Sequence, residues 1–202
     1  MSPGPTMFPL SILVLASGDF GNAVSTCLVQ MIGARVADAL TPPEAWPEAQ
    51  FRMLITGRRL LELETILDTI AFERREAWFP VLCRQPVVEL GPIVDPGFGP
   101  CLNCAKLRQS QHDYNQEARM LLDTAYERCG STGPSGYLPA HVSLVAAIAW
   151  RAIEYWLVNR TNQVGIVRTI DLTSLRLGRG TVVGLHGCPR CGRRAAKTYS
   201  AK

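Results

Sequence analysis

The sequence predicts an α/β domain that contains a mixed β-sheet, two long helices and a four-cysteine zinc site. Ser11–Ala16 (SILVLA) is rich in branched apolar residues, as expected for a buried parallel strand. Turn-forming residues follow it, and then a short helix with one apolar face over Ala23–Ile32, so the chain opens with a βαβ unit. Two Cys-x-x-Cys motifs farther along the chain indicate a metal site.

The later elements follow from the same patterns. Leu60, Leu63 and Leu67 recur at spacings of three and four residues, which predicts a helix over Arg59–Arg75. Further strands are expected at Ala34–Ala39, Phe51–Thr56, Trp78–Cys83, Val87–Leu90 and Ile93–Val94. The remaining predicted elements are helices over Ala105–Arg128 and Pro139–Arg160, and antiparallel strands at Val164–Asp171 and Thr181–Leu185 joined through Gly178–Gly180.

These elements indicate one domain over residues 1–192, followed by a flexible basic tail over residues 193–202. Residues 8–100 form a truncated Rossmann-like part, and residues 101–192 form a helical part that holds the zinc site. Hydrophobic residues make up 47% of the chain and charged residues 19%, a globular composition with enough apolar side chains for a core.

Composition and charge also bear on location and partners. The first basic residue is Arg35, so the basic start of a signal peptide is absent, and no apolar run is long enough to span a membrane. We therefore expect a cytoplasmic protein without membrane association. The net charge of +4 comes partly from Arg193, Arg194 and Lys197 in the tail, so it gives little support to a nucleic-acid partner. A solvated tail is preferred over a tail that contacts an acidic partner.

Four of the seven cysteines form the two motifs, Cys101 with Cys104 and Cys188 with Cys191. Two residues between cysteines allow one tight turn to direct both thiolates at the same ion. Because 83 residues separate Cys104 from Cys188, the ion would close a large loop rather than form a compact ribbon. Four cysteine ligands leave no open coordination position, so we expect one structural zinc ion.

Two alternatives to zinc remain open, namely two redox-active cysteine pairs and a disulfide framework. The loop before Cys101 differs from the βαβ setting of thioredoxin-like motifs, and an odd number of cysteines fits a secreted scaffold poorly. Cys27, Cys83 and Cys129 are interpreted as packing residues. His186 adjoins the second motif and is an alternative ligand or a donor to a thiolate.

A glycine-containing turn follows the first strand and is a candidate nucleotide site, because Rossmann-like folds bind phosphate there. The residues that would contact a nucleotide are Gly18, Gly21 and Asp38. The spacing departs from Gly-x-Gly-x-x-Gly, which would need glycine where the chain has Phe20 and Ala23. A structural turn is therefore the preferred interpretation.

Several segments together resemble the E1/ThiF superfamily, and most closely the E1-like (ocin-ThiF-like) subunit of the cyclodehydratases that make thiazole- and oxazole-modified peptides. They are SILVLASGDFGNA, FRMLITG, FPVLCRQPVVELGPIVDPGFGPCLNCAKLR, VRTIDL and HGCPRCG. The resemblance covers nearly the whole chain, and its most specific piece is the Gly-Pro-Cys-x-x-Cys segment with Arg108 after it.

The resemblance implies a non-catalytic scaffold that binds a YcaO-type enzyme, a precursor peptide, or both, in modified-peptide biosynthesis of the bacteriocin or azole type. Adenylating relatives need a glycine-rich loop, basic residues for ATP and an aspartate for magnesium. Here Thr56-Gly57 follows the third strand without an aspartate, and residues 40–50 contain no lysine or arginine. A diverged ATP-dependent adenylating enzyme is the second hypothesis and a zinc-dependent nucleic-acid binder the third. Whether the chain forms a homodimer is left open.

Many such relatives carry a winged-helix peptide clamp before the first strand. The first strand begins about ten residues after Met1 in this sequence, so we expect another chain to supply the clamp, or a sheet edge to bind the leader peptide. His112, His141 and His186 show no spacing typical of a catalytic site, so no catalytic residue is assigned. Core packing is the preferred role of Trp150, Tyr155 and Trp156, and the Glu73–Glu76 run is interpreted as a solvated helix end.

Overall fold

A single seven-stranded sheet lies at the centre of the computed structural model, which describes residues 10–112, 114–129 and 136–192. Its strands are β1 Ile12–Ser17, β2 Arg35–Asp38, β3 Phe51–Thr56, β4 Ala77–Arg84, β5 Val87–Leu90, β6 Ile166–Asp171 and β7 Leu177–Thr181. The spatial order is β2-β1-β3-β4-β5-β6-β7. Strands β1 to β4 pair with one another in parallel, and β5, β6 and β7 are added to β4 by antiparallel pairs. The predicted mixed sheet and α/β class are therefore confirmed.

Helices cover both faces of this sheet. They are α1 Gly18–Ile32, α2 Leu61–Arg74, α3 Leu102–Gln111, α4 Gln116–Arg128, α5 Pro139–Val158 and α6 Arg160–Gln163, with a short 3-10 turn at Pro43–Ala45. None of these helices combines the length and the apolar character needed to cross a membrane. The basic segment 193–202 lies outside the described residues.

Alternate residues of the parallel strands pack into two separate cores. Val14 and Met53 face α1 and α5, where they meet a cluster that includes Val145. Leu13 and Leu54 point the other way, onto α2. Because both faces are covered, these strands contain continuous apolar sequence rather than an alternating pattern.

Three predicted boundaries are wrong. The turn expected after the first strand is instead the first turn of α1, which begins at Gly18. The helix predicted over Ala105–Arg128 is divided into α3 and α4, which are separated by a short stretch whose Tyr114 is exposed. Gly178–Gly180 belongs to strand β7 and not to a connection between strands.

The actual turn between β6 and β7 forms around Asp171. Its Oδ1 accepts hydrogen bonds from the backbone N–H groups of Thr173 (2.8 Å) and Ser174 (3.0 Å). This side-chain turn reverses the chain early, so β7 starts at Leu177 and ends at Thr181, the first residue of the predicted Thr181–Leu185 strand.

Candidate metal centre and strand-end cavity

The four cysteines of the two motifs come together in one cluster. The Sγ atom of Cys101 is 3.8 Å from that of Cys104 and 3.8 Å from that of Cys188. The Sγ atoms of Cys104 and Cys191 are 3.4 Å apart, and all four sulfurs lie within 4.8 Å of one another. Cys101, Cys104 and Cys188 are buried and Cys191 is partly exposed.

These separations fit a metal ion better than disulfides. A tetrahedral ion with metal–sulfur distances of ~2.3 Å would place its sulfur ligands ~3.8 Å apart. A disulfide requires ~2.05 Å between sulfurs, well below the distances found here. The cluster can therefore hold one metal ion with four sulfur ligands and no open position.

A helix start orients the first pair of thiols toward the cluster, and a tight turn orients the second pair. Cys101 lies just before α3 and Cys104 in its first turn, so both sulfurs project from one helix start. Gly187 precedes the second pair at φ 71°, a left-handed conformation that glycine adopts without strain. The tight turn that follows is closed by the N–H of Gly192, which donates to the carbonyl of Cys188 at 2.9 Å.

The thiols differ in how readily they ionise. Burial raises the pKa of Cys101 to about 11, and burial also raises the pKa of Cys191. Burial acts in the same direction on Cys188, but the N–H groups of Cys191 and Arg190 stabilise its thiolate, and its pKa falls to about 6. The N–H of Leu185 donates to Cys104 Sγ at 3.4 Å. A bound cation would offset the cost of ionising the remaining buried thiols.

The second motif is attached to the rest of the fold by Arg190, which lies between its two cysteines. Arg190 forms an ion pair of 2.5 Å with Asp68 of α2, and its guanidinium lies 4.5 Å from the ring centroid of Phe72. Asp68 is buried and also accepts a hydrogen bond from the indole N–H of Trp78 at 3.1 Å. Sequence patterns gave no sign of this link, because its members are far apart in the chain.

A second feature is a cavity of about 720 Å³ at the carboxyl ends of β1, β3 and β4. Its charged lining residues are Asp19, Arg58, Arg59, Arg84, Arg119 and Asp123. Arg59 pairs with Glu64 at 3.1 Å, and Glu64 also pairs with Lys106 of α3 at 3.2 Å. Sequence analysis missed these arginines because they belong to separate elements that only the sheet brings together.

The three nucleotide candidates lie at the carboxyl ends of β1 and β2 and in the first turn of α1, but they face different surroundings. Gly18 lines the cavity. Gly21 packs against β3, where an added Cβ would lie 2.5 Å from the carbonyl oxygen of Ile55. Asp38 is exposed and accepts a hydrogen bond from the N–H of Leu40 at 2.9 Å. Phe20 lines the cavity and packs edge-on against Tyr137, with ring centroids 5.7 Å apart.

The histidines are also dispersed. His112 and His186 are exposed, and His186 is not among the residues of the metal cluster. His141 lies in the first turn of α5.

The aromatic residues of α5 divide between core and surface. Trp156 is buried and donates to Asp95 Oδ2 at 3.0 Å. Trp150 is partly buried against the main core, whereas Tyr155 is exposed.

The predicted solvated helix end is exposed over residues 73–75. Glu76 is the exception, because it pairs with Arg52, a fully buried residue of β3, at 2.5 Å.

Comparison with solved structures identifies the architecture. Heterocyclase TruD superposes with a TM-score of 0.67 at 20% identity, over 93% of this chain and 28% of that one. A chain of the E. coli microcin synthetase McbBCD complex gives 0.64 at 13% identity, over 93% and 70%. E. coli MccB bound to AMPCPP and MccA gives 0.63 at 12% identity, over 91% and 67%. The chain has the fold of these three proteins.

At these identities the likeness shows the fold alone. The chain spans 28% of the length of heterocyclase TruD. No family model and no curated protein matches the sequence.

Proposed function

We propose that this chain is a non-catalytic E1-like accessory protein in the biosynthesis of a ribosomally made, azole-type modified peptide. Its partners would be a YcaO-type cyclodehydratase, the precursor peptide, or both. The observation that carries the proposal is that 93% of this chain superposes both on a heterocyclase and on a microcin synthetase chain.

The ends of the parallel strands support a role without adenylation. The turn after β3 carries Arg58 and Arg59, and Arg84 ends β4. A magnesium ion would therefore meet positive charge beside β3, where an adenylating relative needs a carboxylate. Phe20 lines the cavity in the first turn of α1, where the phosphate-binding fingerprint of Rossmann-like folds would have glycine.

We infer that zinc is the ion held by Cys101, Cys104, Cys188 and Cys191. Four thiolates at tetrahedral spacing favour zinc over magnesium or calcium, which prefer oxygen ligands. The ion would join the start of α3 to the segment after β7 and thereby stabilise the helical part of the domain.

Reconstitution tests the proposal directly. The purified chain would be combined with a YcaO-type enzyme and a Cys/Ser/Thr-rich precursor peptide encoded beside its gene, and water loss from the peptide followed by mass spectrometry. We expect ATP-dependent dehydration that requires both proteins, and co-elution of the chain with the enzyme or the peptide. Full activity of the enzyme without this chain, together with no co-elution, would contradict the proposal.

The second candidate is a diverged ATP-dependent adenylating enzyme that acts on a peptide. It is favoured by the large cavity at the strand ends and by the fold shared with MccB, which has been solved with AMPCPP. ATP–pyrophosphate exchange in the presence of the precursor peptide separates the two candidates. Clear exchange by the chain alone would replace the accessory role with the enzymatic one.

A further inference from the structure

Strand β7 is the last strand of the sheet, and its outer side faces no other strand of the described residues. All five of its residues are exposed. At the two ends of its ladder with β6, backbone N–H groups donate from Asp171 to Arg176 (3.0 Å) and from Val182 to Gly165 (2.8 Å). Residues of an antiparallel pair exchange hydrogen bonds at every second position, so these two bonds fix the pattern between them.

The outward-facing backbone groups of β7 follow from this pattern. Gly178 and Gly180 lie at the bonded positions and direct their N–H and C=O groups toward β6. The alternate residues, Leu177, Arg179 and Thr181, direct theirs away from the sheet. A row of outward N–H and C=O groups at a sheet edge can pair with a further strand from another polypeptide.

The side chains of this edge carry positive charge that no carboxylate balances within the described part of the chain. Arg179 lies directly opposite Arg168 of β6, at a position where the strands are not hydrogen-bonded and side chains come closest. Burial lowers the pKa of Arg168, and the nearby charge of Arg179 lowers it further. Arg168 donates to the amide oxygen of Gln163 at 2.7 Å, and neither arginine has an ion-pair partner there. Like charges directly opposite each other destabilise a sheet, and an acidic partner would relieve this repulsion.

Two comparisons favour an acidic partner over other occupants. The opposite edge strand, β2, carries no net charge, since Arg35 begins it and Asp38 ends it. A second copy of the chain is disfavoured at β7, because antiparallel pairing of two β7 strands centred on Arg179 would place these arginines opposite each other. A segment with a glutamate or aspartate at that position would instead place the opposite charge there.

We propose that β7 binds an extended, acidic segment of a partner polypeptide, which adds to the sheet as an eighth, antiparallel strand. Hydrogen bonds to the outward backbone groups would supply affinity, and carboxylates at alternate positions of the segment would lie beside Arg168 and Arg179. The other face of β7 carries only Gly178 and Gly180, so the intervening side chains of the segment would meet no side chain of β7. This proposal goes beyond the accessory role and does not depend on it, so the two can fail separately.

The test uses the full-length, zinc-loaded chain and a capped, dye-labelled heptapeptide of alternating threonine and glutamate that begins and ends with threonine. Fluorescence anisotropy at low ionic strength follows binding. Its three glutamates can lie opposite the three outward positions of β7. We expect saturable binding, and at least about tenfold weaker binding when glutamine replaces glutamate, because several opposite-charge pairs are lost together. No saturable binding, or equal binding of the two peptides, would overturn the proposal.

Methylation of backbone nitrogens in the peptide separates strand addition from simple attraction between charges. In the proposed antiparallel arrangement, a glutamate opposite Arg179 directs its N–H toward β7, whereas the threonine N–H groups point to solvent. N-methylation of the three glutamates should therefore weaken binding at least about tenfold. N-methylation of three threonines is the matched control and should have a much smaller effect. Equal effects of the two modifications would overturn the proposal.

Variants and hydrogen exchange locate the peptide on the protein. Arg179→Gln should weaken binding about two- to fivefold, whereas Arg74→Gln, at the exposed end of α2, should bind as the wild type does. Since Arg179→Gln removes one of two like charges, it should melt at the wild-type temperature or higher. The glutamate peptide should also slow amide hydrogen exchange at Leu177, Arg179 and Thr181. Equal affinities of the two variants, or unchanged exchange at these three amides, would overturn the proposal.

Discussion

Removing one ligand of the cysteine cluster tests how the chain is held together. Cys188→Ser takes away one of the four sulfur ligands, so the remaining three should no longer hold the ion that links the two motifs. Because Cys101 and Cys188 are 87 positions apart, a link between them closes a long loop. By the chain-entropy estimate used for disulfides, a loop of this length contributes about 4–5 kcal/mol to the free energy of unfolding.

For a chain of this size that loss lowers the melting temperature by roughly 10–20 °C. Circular dichroism would follow unfolding of the zinc-loaded wild type, the chelator-treated wild type and Cys188→Ser, and plasma mass spectrometry would count the metal. We expect one zinc per wild-type chain and similar destabilisation of the other two samples. Cys129→Ser is the matched control, since Cys129 is exposed and outside the cluster. An unchanged melting temperature after complete zinc removal would refute the reasoning.

Three further predictions concern contacts away from the thiols. Arg190→Met should cost about 2–4 kcal/mol in urea unfolding, because it leaves the buried carboxylate of Asp68 without its ion-pair partner. Gly21→Ala should lower the free energy of unfolding by about 1–3 kcal/mol, because its Cβ would lie 2.5 Å from a backbone oxygen of β3. The control is Gly180→Ala, whose Cβ meets no atom within 4 Å and which should lower it less. Burial raises the pKa of Asp95 despite two nearby donors, so the folded state holds this proton more tightly than the unfolded chain does. Stability should therefore fall as pH rises from ~4 through the folded pKa, and Asp95→Asn should flatten that part of the pH profile in urea unfolding.

The sequence was informative wherever a local pattern determines structure. The apolar runs that became β1 and β3 are buried on both faces, so they could be recognised without tertiary information. The two Cys-x-x-Cys motifs likewise predict a metal site from short stretches of sequence, and the structure brings their sulfurs together. The identity of the ion and the accessory role stay predictions.

Features that depend on the packed fold were not predictable in the same way. The buried pair of Arg52 and Glu76 joins two residues whose sequence context looks like strand and solvated helix end. The start of β7 depends on a turn around Asp171, and the glycines of that strand resembled a connection. The cavity at the strand ends forms only because the sheet brings together residues that are far apart in the chain.

Helix α2 is joined by ion pairs both to a residue that lines the cavity and to residues beside the metal cluster. Glu64 pairs with Arg59 at the cavity and with Lys106, two residues after a cysteine ligand. Asp68, one turn later, pairs with Arg190 between the other two ligands. Loss of the ion would free both cationic partners of α2 to move, and Glu64 would then interact more strongly with Arg59.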